Sequence, residues 1–154
     1  MRKKVVSVIG GHDCLPEVEQ IAKELGEKLV KVAEILVSGG LSGVMESVSS
    51  GFKAGGGQTI GIIPGYEKQA ANPFIDIVIP TGLGFARNIL VVKSADVVIA
   101  LQGKEGTLSE IAYALQFKIP VISLNSWDIP GVVNAKTVDE VIAKTKEILN
   151  RSNG

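Results

Sequence analysis

The 154-residue chain is poor in the residue types that most often announce a chemistry. Its single cysteine, Cys14, excludes an internal disulfide and a cysteine-built zinc cage within one chain. Its single histidine, His12, weakens the case for a metal further, and no metal site is expected. Aromatic side chains make up only 5% of the residues, while aliphatic ones dominate, a balance common in α/β proteins. Sixteen acidic residues match sixteen lysines and arginines, so there is no net charge. With no basic run beyond Arg2-Lys3-Lys4, nucleic acid is not an expected partner. No apolar run approaches the length of a membrane span, so no membrane is expected either. The first strand begins within five residues of the start, which leaves no room for a signal peptide. The expectation is a soluble, cytoplasmic protein forming one domain over residues 1–154.

What is present is an alternation of short β-branched runs with amphipathic stretches. Strands are predicted at 5–10, 34–40, 58–64, 74–80, 96–101 and 119–124. Helices are predicted from Pro16 through Val32, at 43–56, 84–95, 106–118 and 137–150. A seventh, short edge strand could lie at Val132-Val133, and 65–73 has no helical period. The strand runs are continuously apolar, as in a parallel sheet covered by helices on both faces. The fold class is therefore a single Rossmann-like α/β domain with a mainly parallel sheet of six to seven strands.

In such sheets ligands bind beyond the carboxyl ends of the strands, near a switch in strand order. Three predicted strand ends are glycine-rich: "GGHDC" (10–14), "SGGLSG" (38–43) and "QGKEG" (102–106). Glycine lets backbone N–H groups approach an anion, and helix N-termini add a favourable dipole. These loops nominate Gly10, Gly11, Ser38, Gly39, Gly40, Ser42, Gly43, Gly103, Lys104, Gly106 and Thr107 as phosphate contacts. Neither a dinucleotide fingerprint nor a P-loop is present.

The runs "LVSGGLSGVMESVSSGFKAGGGQTIGIIP" (36–64), "FARN" (85–88) and "ADVVIALQGKEGTLSEIAYAL" (95–115) resemble the lonely-guy (LOG) proteins. The resemblance is stronger to their relatives, the molybdenum-cofactor carrier proteins, and it spans the chain from first strand to last helix. LOG enzymes carry PGG-x-GT-x-x-E and an upstream arginine, and hydrolyse the N-glycosidic bond of cytokinin ribotides. On this chain the motif falls on Gln102, Gly103, Lys104, Glu105, Gly106, Thr107 and Glu110, with Arg87 as the arginine. The motif proline is replaced by Gln102 and its second glycine by Lys104. The resemblance implies that Arg87 and Glu110 are catalytic if the protein is an enzyme, and that the protein is a homodimer or larger.

Each of these residues also has a plainer reading. Thr107 and Glu110 have the spacing of a helix capping box, in which Glu110 would bond back to the Thr107 amide. Ser42 reads as an N-cap that could also hold phosphate. Arg87, in the first turn of its helix, opposes the dipole unless an anion lies between them; the alternative is an intersubunit salt bridge. His12, Asp13 and Cys14 read as loop residues near a ligand rather than as a catalytic relay. The helix at 84–95 carries Phe85, Ile89, Leu90, Val91 and Val92 around more than one face, which suggests a second buried surface, unless 65–73 folds over it.

Two functions compete on these grounds, and a third, more distant one, a DNA-handling module like the related DNA-processing proteins, is opposed by the neutral charge. The first is binding of a nucleotide or other phosphate-bearing ligand, including a molybdopterin-type cofactor. The second is a nucleoside 5′-monophosphate phosphoribohydrolase. Lysine decarboxylation is unsupported, because no lysine sits in an evident cofactor-binding context.

Overall fold

The computed structural model describes residues 1–151; residues 152–154 of the expected domain lie outside the described residues. The elements are β1 (Val5–Ile9), α1 (Pro16–Leu29), β2 (Ile35–Ser38), α2 (Val44–Ala54), β3 (Gln58–Ile63) and β4 (Ile77–Pro80). They continue with α3 (Asn88–Lys93), β5 (Val97–Ala100), α4 (Glu105–Gln116), β6 (Val121–Leu124), β7 (Val133–Ala135) and α5 (Val138–Arg151). Short 3₁₀ turns occur at Lys68–Ala70 and Gly84–Arg87.

All seven strands are parallel, in the order β4-β3-β2-β1-β5-β6-β7. The chain builds outward from β1 to β4, then returns to place β5 on the other side of β1. The order therefore switches between β1 and β5, where the carboxyl ends of two strands diverge into loops and leave a crevice. Helices α1, α2 and α5 cover one face over a core that includes Leu25, Leu36, Phe52 and Ile99. Helices α3 and α4 cover the other, over Val91, Val98, Ile111 and Val121. Among the described residues no helix is long and apolar enough to cross a membrane.

Helices α1 and α2 touch backbone to backbone. A Cβ on Gly26 would lie 2.2 Å from the Val48 carbonyl oxygen, and one on Gly51 would lie 2.1 Å from that of Lys23. No other residue fits at either crossing point.

The structure changes several expected boundaries. The predicted helix at 84–95 is a 3₁₀ turn followed by the six-residue α3. Within it Val91 and Val92 are buried, while Phe85 stays 91% exposed and is not covered by the 65–73 segment. The predicted strand at 74–80 shortens to Ile77–Pro80, with Ile77 and Ile79 each 43% exposed. As an edge strand with one neighbour, β4 lacks the two-sided burial that its apolar run suggested. The suspected strand near Val132-Val133 is β7, at the opposite edge.

Candidate active and ligand-binding site

The three glycine loops leave the same edge of the sheet and pack on one another. The Gly11 N–H donates to the Gln102 carbonyl at 2.8 Å, and the Val44 N–H donates to the Gly11 carbonyl at 3.0 Å. Gly43, at φ 67°, lies so close to the first loop that a Cβ would sit 2.3 Å from the Gly11 oxygen. Gly103 presses on Gly11 and Thr107, where an added Cβ would fall 1.9 Å from the threonine Oγ1. The sequence-nominated loops are thus one continuous surface at the β1/β5 switch.

Arg87, at the end of the 3₁₀ turn before α3, and Glu110, on α4, enter this surface. Both are nearly enclosed, at 8% and 7% exposure. The Arg87 Nη1 donates to the Asn88 Oδ1, while its Nε is buried with no partner among the described residues. The guanidinium lies over Gly39, where a Cβ would approach its Nη2 to 2.7 Å. Asn88 in turn donates through Nδ2 to Ser109 Oγ at 3.3 Å, and Ser109 donates to the Gly106 carbonyl at 2.7 Å. This chain of bonds fixes the start of α3 against the first turn of α4.

Glu110 forms neither a hydrogen bond nor an ion pair among the described residues. Burial pushes its carboxyl up to about 8, and the nearby Arg87 charge opposes that rise. Desolvation likewise lowers the Arg87 value, again opposed by its partner. A buried acid and a buried base that feel each other without bonding leave donor and acceptor capacity for something else.

The capping readings do not survive. Helix α4 starts at Glu105 with Lys104 at its N-cap, the Leu108 N–H donating to the Lys104 carbonyl at 3.0 Å. Thr107 is therefore inside the helix, buried at 3% exposure, and Glu110 does not reach back to it. Packing of Gly103 against Gly11 sets the helix start three residues earlier than the capping-box spacing suggested, with Lys104 rather than Thr107 at the N-cap. Ser42 is not an N-cap either. Gly43 holds that position, and the Ser42 Oγ donates to the His12 carbonyl at 2.8 Å, tying two loops together. The Ser38 Oγ accepts from the Gly40 N–H at 3.1 Å. Arg87 precedes α3 rather than lying in its first turn.

A cleft adjoins this constellation rather than containing it. With a volume of ≈ 640 Å³, it runs along the other side of Gln102, Gly103 and Lys104, between Asp13-Cys14-Leu15 and the β6–β7 loop. From that loop come Asn125, Ser126, Trp127 and Asp128, none of which had been singled out. The signal was available in "NSWD", a polar tract holding the one tryptophan at a strand's carboxyl end. His12-Asp13-Cys14 forms no relay, and burial, helped by Glu19 and Asp13, raises the Cys14 thiol above its ordinary value. No metal-binding cluster of His, Cys, Asp and Glu occurs among the described residues.

A parallel sheet with converging glycine loops, a buried arginine and a buried acid at its switch point defines a Rossmann-like α/β domain with its candidate site at that switch. Residues 3–153 match the model of the SLOG cluster4 family, and the chain belongs to that family. It is similar to the molybdenum cofactor binding protein of Rippkaea orientalis, with 38% identity, TM-score 0.91, and 97% and 99% of the two chains covered. The molybdenum cofactor carrier protein of Chlamydomonas reinhardtii is similar at 34% identity and TM-score 0.87, over 97% and 99% of the chains. A relative from Oryza sativa subsp. japonica, described as a probable cytokinin riboside 5′-monophosphate phosphoribohydrolase, is 32% identical over 93 residues. That match covers 58% of this chain and 41% of the rice protein.

Proposed function

We propose that the protein binds a phosphate-bearing ligand of the molybdopterin or nucleotide type across the carboxyl ends of β2, β1, β5 and β6. The observation that carries this reading is Arg87, held over Gly39 with its Nε buried and unpartnered. A buried guanidinium N–H with no acceptor is unfavourable on its own and becomes favourable when an anion accepts its hydrogen. The anion contacts would come from Arg87 and from the loops holding Gly10, Gly11, Ser38, Gly39, Gly40, Ser42, Gly43, Gly103, Lys104, Gly106 and Thr107. Of these, Ser38 and Ser42 shape the loops through their own bonds, and Gly106 offers an open approach, its nearest neighbour for a Cβ being Asn88 Nδ2 at 4.0 Å. Two similar structures bear the names of molybdenum-cofactor proteins, and the adjoining cleft has room for a pterin ring system. The residues present fit such a group: a cradle for its terminal phosphate, and a separate cleft for the rest.

The competing reading, a phosphoribohydrolase, rests on Glu110. A carboxyl group with a value near 8, beside an arginine, is suited to exchange a proton at neutral pH. The rice relative favours the same reading. Calorimetric titration with inorganic phosphate and ribose 5-phosphate, with Arg87→Ala as control, tests the anion site. Release of free base from nucleoside monophosphates, lost in Glu110→Gln, would decide for the enzyme; binding without release decides for the carrier.

A further inference from the structure

We infer that the cleft beside the anion cradle is a ring-recognition subsite selecting a 2-amino-4-oxopyrimidine edge, as carried by guanine and by pterins, over adenine. The inference rests on the proposed function for the ligand's phosphate, but its own observations lie on the other side of the Gln102–Lys104 loop.

The loop after β6 is built rather than loose. Asn125 turns the chain at φ 53°, in the left-handed region that non-glycine residues seldom occupy. That turn directs Ser126, Trp127 and Asp128 back toward the loop after β5. The indole Nε1 of Trp127 then donates to both the Gly103 carbonyl at 3.1 Å and the Lys104 carbonyl at 3.3 Å. The ring is thus anchored to the backbone of the cradle, yet 40% of it stays exposed where it lines the cleft. A fixed aromatic face bordering a cavity of this size is a stacking platform for a flat heterocycle.

The polar groups of the cleft choose which heterocycle. Asp128 has one oxygen occupied, its Oδ1 accepting from Asn134 Nδ2 at 3.2 Å, and Oδ2 is unengaged among the described residues. Asp13 lines the cleft from the β1 side, and among the described residues its side chain makes no hydrogen bond and the buried Ser126 hydroxyl has no partner. Carboxylates accept hydrogen bonds and donate none when ionised. The lactam N–H (N1–H of guanine, N3–H of a pterin) and the adjacent 2-amino group present two donors that one carboxylate can accept together. Adenine presents an acceptor nitrogen and a C–H at the same edge, which would face the carboxylate unpaired. The acidic lining therefore discriminates by charge-assisted pairing on one side and by an unpaired acceptor on the other. Asp128 is the reading residue because Asn134 holds it in place.

Trp127 is the one tryptophan, so intrinsic fluorescence reports directly on this cleft. The folded full-length protein would be titrated with guanosine, adenosine, GMP, AMP, XMP and 6-hydroxymethylpterin monophosphate, with ribose 5-phosphate followed by calorimetry. The inference expects guanosine to bind about tenfold or more tighter than adenosine, and GMP or the pterin phosphate likewise over AMP. Whichever of those two binds tighter identifies the source of the shared edge. Asp128→Asn should weaken both while leaving ribose 5-phosphate unchanged, and should improve XMP, whose edge pairs one donor and one acceptor with a carboxamide. Equal binding of GMP and AMP with ribose 5-phosphate retained would overturn the inference and spare the anion site. Guanosine selectivity without any ribose 5-phosphate binding would support the inference and overturn the anion site. No effect of Asp128→Asn on a well-folded variant, or no binding of any ring, would also overturn it.

Discussion

Arg87 and Glu110, both more than nine-tenths buried, perturb each other's protonation without forming an ion pair. Partners in a structural salt bridge would close on one another, because an uncompensated buried charge is strongly unfavourable. Here Arg87 instead leans on Asn88 and over Gly39, and Glu110 keeps its proton to neutral pH. The pair is organised around a third group rather than around itself.

Glu110 makes stability depend on pH in a direction unusual for a carboxylate. Its folded value of about 8 lies above the ordinary 4.5, so below 4.5 both states are protonated and nothing is lost. Between 4.5 and 8 the unfolded chain releases the proton while the folded one retains it, and stability falls as pH rises. The full penalty, on the order of a few kcal/mol, is reached above about pH 8. Glu110→Gln should remove this slope, with a Tm advantage over the parent that is small in acid and grows toward pH 8. Parallel Tm profiles for the two proteins would contradict the burial argument.

Arg87→Ala should separate binding from folding. Loss of a charge-assisted contact to phosphate is expected to weaken anion affinity about 100-fold. Stability should hold or rise, because the substitution removes a buried Nε that has no partner. Arg87→Lys should recover only part of the affinity, since an ammonium lacks the planar fork. Calorimetry with inorganic phosphate, paired with thermal melts, measures both effects.

Gly51→Ala runs against helix propensity. In an exposed helix interior the change stabilises by about 1 kcal/mol. In α2 the new Cβ would meet the Lys23 carbonyl oxygen at 2.1 Å and the Glu27 nitrogen at 3.0 Å, forcing α1 away. A net loss of about 3 kcal/mol is expected, read as a lowered urea midpoint; an unchanged midpoint would show that the helices can separate without penalty.

Phe85 is 91% exposed, and Leu83, Leu90 and Tyr113 on the same α3/α4 side are 53%, 39% and 38% exposed. Tyr113 stacks on Phe117 at 6.2 Å between centroids, and the Lys93 ammonium lies 4.4 Å from that ring's centroid. Bare aromatic and aliphatic groups of this kind are a proposed contact between copies. Light scattering should find at least a dimer at micromolar concentration, and Phe85→Ser should shift it toward monomer. A monodisperse parent monomer would rule the contact out.

The strand runs, the glycine-rich strand ends and the candidate residues at 87, 103, 106, 107 and 110 were legible because each leaves a local mark. "VVSVIG" and "DVVIAL" can hardly be anything but buried strands, and glycines after them signal loops of unusual backbone. Local marks also misled where a distant contact outweighed them. Thr107 and Glu110 have capping-box spacing, yet Gly103 packs on Gly11 and starts the helix at Glu105, taking Thr107 inside. Trp127 went unremarked because its importance lies in a bond to Gly103 and Lys104, twenty-four and twenty-three residues away.

By itself the sequence determined the class and order of the main elements, the parallel α/β character, and the loops able to expose backbone to an anion. These follow from side-chain periodicity and from glycine's missing Cβ, which are properties of adjacent residues. The tertiary structure alone decided the order β4-β3-β2-β1-β5-β6-β7, and with it which loops meet. It also decided that Glu110 keeps its proton, that Arg87 is left a free Nε, and that Trp127 borders a cleft. Burial and juxtaposition depend on groups far apart in the chain, and no local pattern encodes the solvent they lose.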